Sequence, residues 1–216
     1  MQAKPIGLII FDLDGTLVDS REDIAGAVNF TLRQFGLKEK SLSEITSYIG
    51  TGLEDLIGKS LGEKKDSLLN EAVFRFEQYY ALHSVDKSRL YPGVKEVLEY
   101  FKDKRKSIVT NKKYKFARLA LETLGVYDYF EDVLGGDNSG CMKPSSCSLD
   151  QTMEKLKMPK EKTIIVGDMD VDILAGKRAG IATCAVTYGI GKKEDILKAR
   201  PDYIIDNISQ LKEIIV

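Results

Sequence analysis

Tryptophan is absent from this chain of 216 residues, histidine occurs once, and cysteine occurs three times. Any Ser–His–Asp or Cys–His mechanism would have to use His83, but no nucleophile motif accompanies it, so we interpret it as an ordinary helix-end histidine. Cys141, Cys147 and Cys184 form no C-x-x-C pair. Their odd number indicates reduced thiols and not a disulfide framework, and Cys184 is expected to be a small buried residue.

Long apolar runs and an excess of one charge are also missing. No run approaches the length of a membrane-spanning helix, and the first residues show no signal-peptide pattern, so we expect a cytoplasmic protein with no membrane partner. Lys and Arg number 32, against 33 Asp and Glu. This balance provides no basic field for nucleic acid, and we expect no such partner.

The chain does contain a series of short apolar runs rich in β-branched residues. They do not alternate with polar residues, which is typical of strands covered on both faces in a parallel sheet. From residue 92 onward, helical patterns separate these runs, which predicts an α/β fold with a doubly wound parallel sheet. The predicted strands are 8–11, 107–110, 132–136, 163–167, 183–188 and 202–206.

An early stretch interrupts this alternation with amphipathic helices and no convincing strand. Ser41 and Glu44 have the spacing of a capping box at the start of one helix, and Pro92 marks the return to the sheet. We therefore predict an inserted, all-helical cap domain. The predicted domains are an α/β core at residues 1–17 and 92–216 and a helical cap at residues 18–91.

The run "LIIFDLDGTLVDS", residues 8–20, ends the first predicted strand with two acidic side chains, Asp12 and Asp14. Ligands of open parallel sheets bind beyond the carboxyl ends of the strands, and Gly15 lets the chain turn both side chains towards one site. Two charges at ~4–6 Å in such a cleft repel by a few kcal/mol. A divalent cation would remove that repulsion, and oxygen ligands favour Mg²⁺.

A phosphate fits the same turn, since the N–H groups around Asp14, Gly15 and Thr16 are expected to receive its oxygens. One carboxylate can then attack phosphorus, while the other carries a proton to the leaving oxygen. The alternative is a plain Asp-Gly turn. Such a turn needs only one aspartate, however, and Asp12 lies inside the apolar run.

The D-x-D-G-T pattern after an apolar strand resembles the first motif of the haloacid dehalogenase superfamily of phosphohydrolases, and the later motifs follow in order over the whole chain. The resemblance assigns Asp12 as the nucleophile that forms an aspartyl phosphate, and Asp14 as the acid and base. Thr110 in "SIVTNKK" matches the second motif, whose hydroxyl holds a phosphate oxygen, with Asn111 as a further contact. Lys143, in a Lys-Pro pair, matches the third, which neutralises phosphate and nucleophile.

The fourth motif of that superfamily is matched by Asp168 and Asp172 in "GDMDVD". The resemblance implies that Asp172 lies beyond the direct metal ligands or contacts Lys143. Met169 departs from the Ser or Thr usual in relatives, and we expect this to alter local hydrogen bonding but not the metal site. The ligands that the resemblance implies for Mg²⁺ are Asp12, the main-chain carbonyl of Asp14, and Asp168.

The helical insertion resembles the cap of the phosphoglycolate phosphatase and β-phosphoglucomutase branch. Within it, "YIGTGLEDLI" resembles the loop that faces substrate, where N–H groups of Tyr48, Gly50, Thr51 and Gly52 would meet an anionic tail; a simple helix–helix turn stays open as the alternative. The resemblance implies a Mg²⁺-dependent phosphatase, monomeric or homodimeric, acting on a small phosphorylated metabolite. Its first candidate substrate is 2-phosphoglycolate.

Four other functions share part of this machinery. A haloacid dehalogenase uses the same nucleophile but needs neither Mg²⁺ nor a second acid such as Asp14. A β-phosphoglucomutase-like phosphotransferase or a pyrophosphatase would share all four motifs. A receiver-type signalling domain also has a phosphorylatable aspartate with acidic neighbours, Thr and Lys, but such domains are much shorter and have no helical insertion.

Overall fold

A computed structural model describes residues 4–216 and places a six-stranded, wholly parallel sheet at the centre of the molecule. In this part of the chain there are eight strands: β1 (Leu8–Phe11), β2 (Val18–Asp19), β3 (Arg89–Leu90), β4 (Arg105–Val109), β5 (Asp132–Leu134), β6 (Thr163–Gly167), β7 (Ala182–Val186) and β8 (Tyr203–Ile205). The order across the sheet is β5-β4-β1-β6-β7-β8. All six strands predicted from apolar runs are therefore present, with ends shifted by at most a few residues.

The described residues also form ten α-helices. They are α1 (Arg21–Gln34), α2 (Leu42–Thr46), α3 (Leu53–Leu61), α4 (Lys65–His83), α5 (Val94–Tyr100), α6 (Tyr114–Thr123), α7 (Cys147–Lys155), α8 (Asp170–Ala179), α9 (Lys193–Ala199) and α10 (Leu211–Ile214). None of the helices in residues 4–216 combines the length and the apolar character needed to cross a membrane.

Strand β1 shows why the sheet is covered on both sides. All four of its residues are fully buried, and alternate side chains point to opposite faces. Ile9 and Phe11 pack in a cluster with helices α5, α6 and α10, whereas Leu8 and Ile10 pack with α7 and α8. The predicted doubly wound α/β sheet is thus confirmed. Cys184 of β7 lies in the first cluster and is fully buried, as predicted.

Helices α1 to α4 pack on one another around a separate apolar cluster. Ser41 caps α2 by accepting the N–H of Glu44 at 3.2 Å, as the capping-box spacing predicts. His83 ends α4, stacks on Tyr79 and contacts Asp86 at 2.8 Å, which confirms its reading as a helix-end histidine.

Two features of this helical region were not predicted. Residues 18–91 were expected to hold no strand, but β2 and β3 pair antiparallel where the chain leaves and re-enters the core. Two-residue strands are too short to leave an apolar pattern in the sequence. Helix α3 also begins directly after Gly52, within the segment that was expected to be a loop. The division into a core at 1–17 and 92–216 and a cap at 18–91 stays a prediction, and residues 1–3 lie outside the described chain.

The two ends of the helical region are tied together by Asp23, which is only 6 % exposed. Its carboxylate accepts the N–H groups of Lys87 and Ser88 at 3.0 and 2.7 Å, and the Ser88 hydroxyl at 2.6 Å. Helix α1 is thereby fixed to the turn that leads into β3. A carboxylate that accepts several buried donors holds this turn more firmly than a single neutral hydrogen bond would.

Replacing this clamp should destabilise the fold. In Asp23→Ala the buried donors of Ser88 and the main-chain N–H of Lys87 lose their acceptor, so we expect the free energy of unfolding in urea to fall by about 2–4 kcal/mol. Asp66→Ala, at an exposed position in the first turn of α4, is the matched control and should change it by less than about 1 kcal/mol. Equal effects of the two substitutions would contradict the role of Asp23.

Candidate active site

Three neighbouring strands end at the same edge of the sheet, and each is followed by a polar residue. Strand β1 lies between β4 and β6, so the residues that follow these strands, Asp12, Thr110 and Asp168, meet at their carboxyl ends. All three are less than 8 % exposed. The parallel topology therefore brings together side chains that are up to 156 positions apart in the sequence.

A cluster of acidic groups forms at this edge. Asp12, Asp168 and Asp172 each place a carboxyl oxygen within 4.8 Å of the others. Lys143 is the cation in the cluster: its Nζ donates to Asp12 Oδ1 and to Asp172 Oδ1, both at 2.6 Å, and to the carbonyl of Val109 at 2.8 Å. Three buried carboxyl groups thus lie together with one ammonium group, which donates to two of them.

This excess of negative over positive groups is reflected in the pKa values of the cluster. Burial and the charges of Asp12 and Asp172 raise the pKa of Asp168 to about 8. Burial likewise raises the pKa of Asp12 to about 6, although Lys143 opposes the shift. Burial lowers the pKa of Lys143, but Asp12 and Asp172 outweigh it and hold that pKa above its ordinary value. Positive charge is in short supply around the acidic groups.

The cluster fits a hard divalent cation. Its donors are carboxyl oxygens, which such ions prefer. Asp168 is already oriented, because Thr16 Oγ1 donates to one of its oxygens at 2.9 Å and the N–H groups of Ile190 and Gly191 donate to the other at 2.7 and 3.2 Å. Asp172 accepts from Lys143, one of the two roles expected of it. Its carboxyl group also belongs to the acidic cluster.

Asp14 points away from this cluster. Its carboxylate accepts from Lys112 Nζ at 3.0 and 3.1 Å and from the Ser20 hydroxyl at 2.5 Å. Lys112 in turn donates to the hydroxyl of Tyr80 on α4 at 2.9 Å. This corrects the expectation that both side chains of the D-x-D pair turn towards one cation site. Asp12 belongs to the acidic cluster, whereas the Asp14 carboxylate is paired with a buried lysine.

The turn after β1 corrects one expectation. The N–H groups of Gly15 and Thr16 were predicted to bind phosphate, but they donate to Val18 O at 2.8 Å and to Leu13 O at 3.3 Å. The N–H groups of Leu13 and Asp14 take no part in those bonds. Gly15 has φ +90°, and a Cβ there would lie 2.2 Å from Asp168 Oδ2. A glycine is required at this position because the main chain passes so close to the acidic cluster that a side chain would collide with Asp168.

Asn111 also differs from its expected role. Its amide nitrogen donates to the carbonyls of Gly50 and Lys143 at 2.8 and 3.0 Å, and its Oδ1 accepts the N–H of Lys143 at 2.8 Å. Because both amide hydrogens are occupied, the side chain has none left for a phosphate. Asn111 instead positions Lys143. Thr110 lines the cleft, and its hydroxyl accepts the N–H of Lys112 at 3.2 Å.

The cap loop approaches the core through its glycines. A Cβ at Gly50 would lie 2.3 Å from the sulfur of Met169, and one at Gly52 would lie 3.0 Å from the sulfur of Met142. Both glycines line the cleft. Thr51, also predicted to face substrate, is exposed, and its hydroxyl bonds Asp55. The Met169 side chain thus packs against the cap loop. Its main-chain N–H donates to the Asp172 carboxylate at 2.9 Å.

The loop that carries Lys143 contains a disulfide. Cys141 and Cys147 are bonded, which corrects the expectation of reduced thiols, and Cys184 is the free cysteine of the described chain. The bond joins residues six positions apart and encloses Lys143. A C-x₅-C spacing within a loop has no distinctive sequence signature, and an odd total concealed the pair.

A cleft lies between this edge of the sheet and the helical region. Its polar floor includes Asp12, Asp14, Thr110 and Lys143. The opposite wall is apolar and consists of Ile24, Ile49, Leu53, Leu56 and Phe76 of the helical region, together with Phe116 of α6. Sequence reasoning missed Lys112 and Tyr80, although Lys112 follows directly after the second motif in "TNKK". The arrangement can hold an anion and a cation next to a buried carboxylate group.

Comparison with known proteins agrees with this geometry. Residues 9–186 match the family described as "Haloacid dehalogenase-like hydrolase". This chain belongs to the haloacid dehalogenase-like hydrolase family. The predicted superfamily membership is confirmed. The three residues of the acidic cluster lie within the matched range of this hydrolase.

Full-length relatives of this hydrolase bear one name. It is 37% identical over 224 residues to a phosphoglycolate phosphatase of Vibrio parahaemolyticus, covering 100% of this chain and 98% of the relative. It is 38% identical over 206 residues to that of Aquifex aeolicus, covering 94% of each. A crystal structure of a predicted phosphoglycolate phosphatase from Haemophilus somnus superposes with a TM-score of 0.90 at 30% identity, covering 96% of this chain and 97% of the other.

The acidic cluster predicts how stability depends on pH and on metal. The folded-state pKa values of Asp12 and Asp168 lie above the ordinary 3.8, so their contribution to stability is fully present below about pH 4 and is lost as pH rises through about 6 and 8. The metal-free protein should therefore become less stable between about pH 5 and 8.

Added Mg²⁺ should reverse this loss, since it replaces the protons. At about 100 times its dissociation constant it should add about 2.7 kcal/mol at pH 8, and much less at pH 5. Thermal unfolding with Mg²⁺ or with a chelator measures both effects. In Asp168→Asn the metal effect should vanish. A Mg²⁺ effect of the same size at both pH values would count against this site.

Proposed function

We propose that this hydrolase is a Mg²⁺-dependent phosphatase that cleaves a small phosphate monoester, with 2-phosphoglycolate as its first candidate substrate, through an aspartyl phosphate. The observation that carries the proposal is the placement of Asp12, whose carboxylate lies in the acidic cluster, contacts Lys143 at 2.6 Å and borders a cleft. The shared name of the full-length relatives supports the phosphatase activity and the candidate substrate.

The cation would be held by Asp12, Asp168 and the main-chain carbonyl of Asp14, with the Asp172 carboxyl group beside it. When bound, Mg²⁺ supplies the positive charge that lets a phosphate group lie next to an ionised nucleophile. Lys143 supplies further positive charge from the other side of Asp12. Thr16 and the two amides on Asp168 hold that carboxylate in place, so the site needs little rearrangement on binding.

In the first step an oxygen of Asp12 attacks phosphorus and forms an O–P bond, while the bond from phosphorus to the ester oxygen breaks. The Thr110 hydroxyl contacts a phosphoryl oxygen as charge moves onto the leaving group. Lys143, whose three hydrogens are donated to Asp12, Asp172 and the carbonyl of Val109, supplies positive charge nearby. The N–H groups of Leu13 and Asp14 are better donors for these oxygens than those of Gly15 and Thr16, which bond within the turn. Positioning and charge neutralisation account for most of the rate in such reactions.

Asp14 supplies the proton that the departing alkoxide takes up. In the second step it accepts a proton from the water that attacks the aspartyl phosphate, and inorganic phosphate leaves. Lys112 and Ser20 hold the Asp14 carboxylate beside the cleft. A group that serves first as acid and then as base must stay within reach of both the ester oxygen and the water.

Further properties follow as proposals. The helical region, residues 18–91, acts as a cap that closes the cleft and excludes bulk water from the reacting phosphate. We also propose a cytoplasmic monomer or homodimer with neither a nucleic-acid nor a membrane partner. Size-exclusion chromatography with light scattering decides between the two oligomeric states.

Asp12→Asn should abolish turnover. The amide cannot attack phosphorus, so kcat on 2-phosphoglycolate with Mg²⁺ should fall by roughly 10⁴-fold or more. Circular dichroism and thermal unfolding should show an intact fold, since one buried carboxylate is replaced by a neutral group of equal size. A variant that keeps most of its rate would contradict the covalent scheme, and Asp66→Asn serves as the surface control.

Asp14→Asn should separate the two steps. With 2-phosphoglycolate, whose alkoxide leaves poorly, we expect a loss of about 10²–10⁴-fold. With p-nitrophenyl phosphate the first step needs no acid, so rapid mixing should show a burst of about one equivalent of p-nitrophenol followed by slow turnover. Full activity on the alkyl ester would overturn the assignment of Asp14 as the acid.

A further inference from the structure

Three lysines line the cleft: Lys112, Lys113 and Lys143. Lys143 has all three of its hydrogens on Asp12, Asp172 and a main-chain carbonyl. Lys113 forms ion pairs with Glu54 at 3.1 Å and Glu77 at 2.7 Å. Lys112 is also paired, with Asp14 at 3.0 and 3.1 Å, but its ammonium group additionally contacts a neutral hydroxyl, that of Tyr80. It is therefore the candidate for contact with the part of a substrate that lies beyond the phosphate.

Lys112 is paired with a group that has a hydrogen to donate. Tyr80 is 2 % exposed, and its hydroxyl accepts from Lys112 Nζ at 2.9 Å. Burial raises the pKa of Tyr80 to about 12, so the phenol keeps its proton. Within residues 4–216 no acceptor is found for that proton. Tyr80 is held in place by rings of Phe76 and Phe116, each with its centroid 5.0 Å away.

The surroundings of this pair are largely apolar on one side. The described residues of the helical region that line the cleft carry no charged side chain, and Tyr80 provides their one side-chain hydroxyl. A second acidic group on a substrate that lay against this wall would lose its hydration without compensation, except where the Tyr80 hydroxyl and the neighbouring Lys112 ammonium group meet it. There it would meet one ammonium group and one hydroxyl donor.

We propose that Lys112 and Tyr80 form the specificity site for this hydrolase and bind a carboxylate on the leaving group of the phosphate ester; the inference rests on the proposed function. The carboxylate accepts from the Tyr80 hydroxyl and replaces one of the two contacts that Asp14 makes with Lys112. Lys112 touches Asp14, which delivers the proton to the ester oxygen. The carboxylate must then lie within one or two carbons of that oxygen.

This distance defines the substrate class as phosphate esters of short hydroxy acids, of which 2-phosphoglycolate is the smallest. A sugar phosphate, or an ester whose second charge lies several carbons away, would place that charge against the apolar wall. Specificity arises because buried polar groups are left unpaired when a substrate lacks the matching acceptor. Ethyl phosphate has the same phosphate and a similar alkyl group but no carboxylate, and serves as the reference ester.

The test is the ratio of kcat/KM on 2-phosphoglycolate to kcat/KM on ethyl phosphate, with Mg²⁺. In Tyr80→Phe, which keeps the ring and removes the hydroxyl, this ratio should fall about tenfold. In Lys112→Met it should fall about a hundredfold, since a charged partner is lost. Lys113→Met, next to it in the chain and engaged with two glutamates, should leave the ratio unchanged.

The same comparison can be made without turnover. In an Asp12→Asn background, calorimetry gives dissociation constants for the two esters, and Asp12→Asn/Tyr80→Phe should lose about tenfold in preference for 2-phosphoglycolate. If the wild type cleaves no phosphate ester, the proposed function fails, and the binding ratio still judges the anion contact. A ratio unchanged by both Tyr80→Phe and Lys112→Met, by either measurement, overturns the specificity site alone.

Discussion

At one edge of the central sheet, three buried carboxyl groups lie close together with a single ammonium group beside them. In water such a cluster would disperse, but here the ends of β1 and β6 and the start of α8 fix Asp12, Asp168 and Asp172 within 4.8 Å of one another. Burial raises the pKa values of Asp12 and Asp168, and repulsion from the neighbouring carboxyl groups adds to this shift. Burial also strengthens that repulsion. The proposed divalent cation would supply the missing positive charge.

The rest of the structure supports that cluster from two sides. From the core, Thr16 and the amides of Ile190 and Gly191 fix Asp168, and Asn111 fixes the backbone of Lys143. From the helical region, Gly50 accepts from Asn111. The same side chain therefore joins the third motif to the cap. The Asn111 amide group thus links the position of Gly50 to that of Lys143.

Much of this arrangement could be predicted from the sequence. The six core strands were visible because short β-branched runs without alternation are typical of strands buried on both faces, and their parallel order makes residues at strand ends converge. Asp12 and Asp168 follow predicted strands and were placed at one edge for that reason. The resemblance to the haloacid dehalogenase superfamily added Thr110 and Lys143 to the predicted site and gave each of the four residues a role.

Other details depend on hydrogen-bond partners that a linear pattern does not contain. Asn111 stands next to Thr110 in sequence, but its partners, Gly50 and Lys143, lie 61 and 32 positions away. The N–H groups of Gly15 and Thr16 were predicted to bind phosphate, but within the tight turn they donate to the carbonyls of Val18 and Leu13. In the sequence, Tyr80 is one of several aromatic residues in an amphipathic helix. The contact of its hydroxyl with Lys112 depends on how α4 packs on the core, which the sequence pattern does not show.

The direct measurement is anomalous diffraction from crystals soaked in Mn²⁺, which takes the same oxygen ligands as Mg²⁺. If the acidic cluster is a cation site, the strongest anomalous peak will lie within coordination distance of both Asp12 and Asp168. Full-strength peaks at exposed carboxylates, with none between these two side chains, would show that the cluster is not a metal site.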